Sequence, residues 1–271
     1  MKITVSPDWA DVFVAELAEI GYESFVEFDE GVCAYVQKAQ FSEDLWLEIV
    51  ERYREAADVR YETAVMPRRN WNEEWEKNYQ PIVVGGQCVV RASFHQIAEQ
   101  HPYEIVVNPQ MSFGTGHHET TTLMLENQLR LDHRGKRVLD AGCGTGILAI
   151  MACKRGGRRV DAYDTDEWAV ANATENSRLN GCEQVRVQQG TIATVDLADE
   201  YDIVLANINR NVLLDEMPAY AAKLPPGGTL LLSGFYEQDV PELTQKAAGH
   251  GLVAKQTASR NRWASLWLEK A

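Results

Sequence analysis

At 271 residues, 45% of them hydrophobic, the chain is long enough for one large domain or two ordinary ones with proper cores. Its formal charge of −14 argues against a general affinity for nucleic-acid backbones, whose binders carry a basic footprint, and no apolar run approaches the length that crosses a bilayer. The opening KITVSPDWADVFVAEL has neither a basic leader region nor an apolar one, so a cytoplasmic protein is expected; its five cysteines, odd in number and without a CxxC pair, are expected as reduced thiols.

In chain order, KITVS reads as a strand, DWADVFVAELAEIG as a helix, and SFVEF and VCAYVQ as strands around the turn residues Asp29, Glu30 and Gly31. Ser42 then caps an amphipathic helix, EDLWLEIVERYREA, and VRYETAV closes the set. The order βαββαβ is that of the ferredoxin-like split unit, expected over residues 1–66 as a recognition module without a phosphate loop or catalytic cluster. These 66 residues hold fifteen Asp and Glu against five Lys and Arg, most of the chain's net charge. Such a module suits a basic partner; plain solubility is the bland alternative.

Residues 67–79 are expected as a linker helix, with Trp71 and Trp75 on one face, and residues 80–271 as a second domain. IVVGG, QCVVRAS and YEIVVN read as short strands leading into NPQMSFGTGHHETTTLML, residues 108–125. This stretch lacks the lysine and following hydroxyl of a phosphate loop. His117 and His118 are adjacent, so their side chains diverge on either helix or strand, and no metal site is expected. After Leu129 strands and helices alternate, which implies a parallel sheet with right-handed crossovers.

RVLDAGCGTGILAIMACKRGG gives a buried strand, Asp140, then Gly142, Gly144 and Gly146, then a helix. A strand, glycine turn and helix bring backbone against a ligand at the carboxyl end of a sheet. A dinucleotide site would place its third glycine at Ile147, and Asp140, expected at the mouth of the loop, would repel a pyrophosphate. A carboxylate there suits a ligand with positive charge, such as S-adenosylmethionine. Asp164, about twenty residues on, ends the next strand where an acidic side chain accepts ribose hydroxyls. Gly190 and Thr191 follow the third strand beside the expected adenine, and Asn207 ends the fourth, where a substrate would enter.

With D-x-G-x-G-x-G at 140–146, Asp164 in YDTD and the tail GGTLLLSGF, helix and RWASLWLEK, residues 105–271 resemble the class I methyltransferases. FGTGHHETT before that core, W-N-E-x-W upstream and the small N-terminal module are similar to the PrmA family, which methylates the eleventh protein of the large ribosomal subunit. The resemblance implies an α/β fold: a class I methyltransferase Rossmann-like sheet with a small N-terminal ferredoxin-like α+β domain. It also implies S-adenosylmethionine as cofactor, contacted by Thr121, Gly142, Asp164 and Asn207, with Asp140, Gly144, Gly190 and Thr191 around it and Phe113 in a lid over its methionine end. The family product is trimethylated lysines and a trimethylated N-terminal amine. The sequence departs from the family pattern at Pro109-Gln110 and at Ile-Asn-Arg-Asn after Asn207.

The Asn207 side chain or a neighbouring backbone carbonyl is expected to accept an amine hydrogen and aim the nitrogen lone pair, with His117 as a candidate base and water as the other acceptor of the proton. The expected partner is a basic ribosomal protein, free or ribosome-bound, with no direct nucleic-acid specificity, no membrane association and a monomeric enzyme. Methylation of another basic protein or a small-molecule amine is the competing enzymatic reading. A non-catalytic adenosylmethionine-binding protein and a nicotinamide-dependent dehydrogenase are the others, the latter disfavoured by Asp140 and Ile147.

Overall fold

The computed structural model describes residues 1–28, 30–37, 40–54, 56–64, 80–108 and 119–271. The expected linker helix over 67–79 and the loop 109–118, with Phe113 and His117, lie outside them. The chain divides into two compact units, Met1–Glu76 and Lys77–Ala271.

The first unit runs β1 (Lys2–Thr4), α1 (Pro7–Glu19), β2 (Ser24–Phe28), β3 (Gly31–Tyr35), α2 (Glu43–Tyr53) and β4 (Arg60–Glu62). The strands form one antiparallel sheet in the order β2-β3-β1-β4. Ser42 caps α2, its hydroxyl accepting from Leu45 N. Alternation along the strands turns Ile3, Val32 and Ala34 inward, where Phe13 and Leu17 of α1 and Trp46 and Ile49 of α2 complete the core. Trp46 is fully buried, with Phe13 and Tyr61 against its ring at 5.9 and 5.3 Å.

In the second unit β5 (Ile82–Val84), β6 (Cys88–Arg91) and β7 (Tyr103–Val106) form a small sheet, antiparallel between β5 and β6 and parallel between β6 and β7. Then come α3 (Glu119–Arg130), β8 (Arg137–Ala141), α4 (Ile147–Lys154), β9 (Arg159–Asp164), α5 (Glu167–Leu179), β10 (Val185–Gln189), β11 (Ile203–Asn207), α6 (Arg210–Ala222), β12 (Thr229–Tyr236), α7 (Val240–Ala248), β13 (Leu252–Arg260) and β14 (Trp263–Lys270). The seven-stranded sheet has the order β10-β9-β8-β11-β12-β14-β13; its first five strands are parallel, and β14 runs antiparallel to both neighbours. This is the reversed final hairpin that the tail implied.

Both faces of the sheet are covered, so its central strands read as unbroken apolar runs. Met124 and Leu125 of α3, with α4 and α5, pack on Val138, Val160 and Leu205 on one side. Leu213 and Met217 of α6 and Leu243 of α7 pack on Leu139, Ala141 and Val204 on the other. Among the described residues no helix is long and apolar enough to cross a membrane.

The expectation of five reduced thiols is corrected at one pair. Cys153 at the end of α4 and Cys182 just beyond α5 are joined as a disulfide, their Cα atoms 6.0 Å apart, while Cys33, Cys88 and Cys143 are free. The pair is 29 residues apart in sequence. The thiols meet because successive crossovers lay α4 and α5 side by side, which no short motif records.

The aromatic cluster sets the stability of the smaller unit. Trp46→Ala is expected to destabilise it by about 3–5 kcal/mol, from lost burial plus the cavity left behind. Urea unfolding followed by circular dichroism checks this, a transition moving to lower urea.

Candidate functional site at the strand ends

The functional side chains gather where the parallel strands end. The turn from β8 into α4 holds Gly142, Gly144 and Gly146 at φ +66°, +53° and +78°, a left-handed path that side-chain-bearing residues rarely take. At Gly142 a Cβ would also lie 2.3 Å from Ile208 Cγ2, and at Gly146 3.0 Å from Ala173 Cβ. Gly146 N-caps α4, so the turn delivers the helix directly to the loop.

Asp164, the last residue of β9, ties that loop to its neighbour. Its Oδ2 accepts from Gly144 N at 2.9 Å and its Oδ1 from Asp166 N at 3.1 Å. Asp166 in turn caps α5 through Trp168 N. Gly190, at φ +145°, donates its N–H to the Asp164 carbonyl at 2.8 Å, bringing Thr191 to the same edge. At the end of β11, Asn207 Nδ2 donates to Thr121 Oγ1 of α3 at 3.4 Å, and its buried Oδ1 has no hydrogen-bond partner among the described residues.

Gly142, Gly144, Asp164, Thr191 and Asn207 line one cavity of about 450 Å³. Thr121 is fully buried behind it and reaches the cavity through Asn207. Asp140 is a correction. It does not stand at the mouth of the loop but is fully buried, its Oδ2 accepting from Ala149 N in α4 at 2.9 Å and its Oδ1 unpartnered among the described residues. Strand alternation accounts for this: β8 turns Asp140 toward the face that α4 covers, one residue short of the turn. Burial, opposed by the Ala149 bond and reinforced by the charge on Asp164, pushes its pKa up to about 7.

Several lining residues escaped the sequence reading: Tyr163, Ile208, Glu216, Gly234 and Trp263. Gly234 had a signal, since a lone glycine in an apolar strand marks a close approach, and a Cβ there would meet the Ile208 carbonyl oxygen at 2.2 Å. Trp263 pairs with Tyr236 across β14 and β12, the two rings stacked at 4.2 Å. Glu216 had no signal, for it reaches the cavity from the second turn of α6. Cys143, inside the loop, is a buried thiol whose pKa burial and then Asp140 and Asp164 raise well above normal, so it is no thiolate nucleophile.

The sequence matches the family described as ribosomal protein L11 methyltransferase (PrmA) over residues 8–271. The chain belongs to that family. It is 45% identical over 258 residues to the ribosomal protein L11 methyltransferase of Bacteroides fragilis, covering 94% of this chain and 92% of that one. Against the Porphyromonas gingivalis protein of the same name it is 46% identical, covering 94% and 89%. The crystal structure of a ribosomal protein L11 methylase from Lactobacillus delbrueckii subsp. bulgaricus superposes with a TM-score of 0.65 at 28% identity, covering 71% of this chain and all of that one. The chain is therefore an S-adenosylmethionine-dependent methyltransferase with the class I sheet.

The residues present fit that cofactor. Glycines leave room for close approach at the loop, a carboxylate stands at the end of β9, and a carbonyl oxygen at Asn207 lacks a donor. No lysine or arginine is among the described lining residues, an arrangement that suits a sulfonium ligand.

Two outcomes follow. Gly142→Ala forces Ile208 aside and is expected to weaken S-adenosylhomocysteine binding by roughly tenfold or more, read by calorimetry. For Asp140, folding raises the pKa from 3.8 to about 7, so the native state keeps a proton that the unfolded chain releases. Its contribution to stability is then full below pH 4 and is lost as pH rises to about 7. Melting temperatures of the ligand-free protein against pH should fall over that window more steeply than those of Asp140→Asn.

Proposed function

We propose that this enzyme methylates lysine side-chain and N-terminal amines of ribosomal protein L11, using the strand-end cavity as its active site. The observation that carries the reading is the single cavity shared by Gly142, Asp164 and Asn207, with the Asn207 carbonyl oxygen unpartnered beside it. The proposed division of labour gives recognition to residues 1–66, a link to 67–79, and chemistry to 80–271. The excess of fifteen acidic over five basic residues in the first segment suits a basic ribosomal protein, free or ribosome-bound. The proposed setting is the cytoplasm, with the enzyme a monomer and nucleic acid not itself the ligand.

Bound S-adenosylmethionine supplies a methyl group on a sulfonium, already a good leaving group. Asp164 accepts the ribose hydroxyls, its orientation fixed by the Gly144 and Asp166 amides. Gly142 and Gly144 let the loop backbone close on the ligand, with Gly190 and Thr191 at the adenine. Asn207 Oδ1, buried beside the cavity and unpartnered among the described residues, turns outward to receive an N–H of the amine, which aims the lone pair. Positioning and exclusion of water are worth up to roughly 7–11 kcal/mol in well-oriented reactions, enough that no strong base is required. A lysine amine, with a reference pKa of about 10.4, must still shed its proton, and water takes it.

Intact-mass spectrometry of ribosomal protein L11 after incubation with the enzyme and S-adenosylmethionine should record gains in whole methylene steps, absent with Asp164→Ala. Asn207→Ala should lower kcat by about ten- to a hundredfold. A substrate whose mass stays unchanged, with the cofactor bound, would send the reading to another basic partner of the acidic module.

A further inference from the structure

Sheet order lays the cavity out in a line. Thr191 follows β10, Asp164 ends β9 and Thr165 follows it, the glycine loop follows β8, Asn207 ends β11, and Gly234 and Trp263 come from β12 and β14. With the ribose at Asp164 and methyl transfer at Asn207, the β9 and β10 end receives the purine. Glu216 belongs to that end although it comes from α6, because Tyr163 of β9 donates its hydroxyl to Glu216 Oε2 at 3.0 Å. Tyr220, one turn along α6, donates to the same oxygen. Both phenols are buried, and burial raises the pKa of each, so they stay protonated donors.

The carboxylate is thus held at one oxygen by two hydroxyls. Among the described residues nothing donates to the other oxygen, Oε1, and it is not a fully buried atom. A half-buried, tethered acceptor on the cavity wall suits a donor from the ligand. The ribose hydroxyls have Asp164, and the ammonium lies at the methionine end, on the far side of the ribose from the purine, which leaves the exocyclic amine of the purine.

We infer that Glu216 is a specificity-determining residue that selects an aminopurine, its free carboxylate oxygen accepting a hydrogen from the exocyclic amine of the cofactor's adenine. The inference rests on the cofactor lying in this cavity. The tether makes the selection directional. In Glu216→Gln the two phenols claim the amide carbonyl and turn the NH₂ toward the ligand, so a donor meets a donor.

The test compares two ligands by calorimetry: S-adenosylhomocysteine, and the same molecule with hydrogen in place of its exocyclic amine. The wild-type enzyme is expected to bind the first at least about tenfold more tightly, as a hydrogen bond to a charged acceptor gives. In Glu216→Gln the ratio should fall to about one or below, and in Glu216→Ala to about one; the second variant decides the matter if the first does not fold. General damage to the fold weakens both ligands alike and leaves the ratio standing. A wild-type ratio near one, or a tenfold ratio kept in both variants, overturns the inference while leaving the cavity as the cofactor site. Asp164→Ala separates the two readings. If it leaves the affinity for both ligands untouched, the placement of the cofactor falls, and the role of Glu216 falls with it.

Discussion

Ile208 is wedged between two glycines, and the active end of the larger unit depends on that fit. A Cβ at Gly142 would sit 2.3 Å from its Cγ2 and one at Gly234 2.2 Å from its carbonyl oxygen, so the turns after β8 and β11 and the bulge of β12 are packed to backbone contact. The residues on either side of Ile208 are thereby aimed. Asn207 turns to Thr121 on α3, and Asn209 caps α6 through Val212 N at 3.2 Å. Close packing transmits any shift here to both faces of the sheet.

Charge is arranged with equal economy. Asp140 is buried beneath the loop, while Asp164 and Glu216 line the cavity, and no described cation lines it with them. All three are held by donors the protein supplies: backbone amides at Asp140 and Asp164, phenols at Glu216. At Asp164 and Glu216 the remaining acceptor capacity borders the cavity. Asp140 takes the opposite role: its pKa, pushed up to about 7, reflects a charge that burial resists and a cationic ligand nearby would relieve. Water-exposed carboxylates would provide the same sign of potential without the direction.

Local pattern made much of this readable. The βαββαβ order, the parallel core, the glycine turn and Asp164 all follow from periodicity and spacing, because each is fixed by residues within one strand-turn-helix unit. What spacing cannot record is which side of a sheet covers a residue. Order along the chain puts Asp140 at the loop mouth because it precedes the glycines, yet strand alternation buries it against Ala149. Cys153 and Cys182 meet only through the lateral packing of α4 and α5. Glu216 joins Tyr163 across 53 residues, a contact set by the depth at which α6 lies on the sheet. Such partners belong to tertiary packing, and a single sequence carries no period for them.

The choice of an amide at position 207 has a physical logic of its own. A carboxylate there would accept an amine hydrogen equally well, but it would favour the ammonium form, whose lone pair is unavailable. It would also add a third acidic group near Asp140 and Asp164, raising all their proton affinities further. On the proposed reading a neutral carbonyl oxygen would accept the N–H without holding the extra proton, while Thr121 Oγ1 accepts from the other end of the amide. The acidic groups stand toward β8, β9 and α6, and the neutral amide stands at β11, where the proposed chemistry calls for an uncharged nucleophile. Separation of the two along the sheet edge would let one cavity attract a cation and still present an unprotonated amine to it.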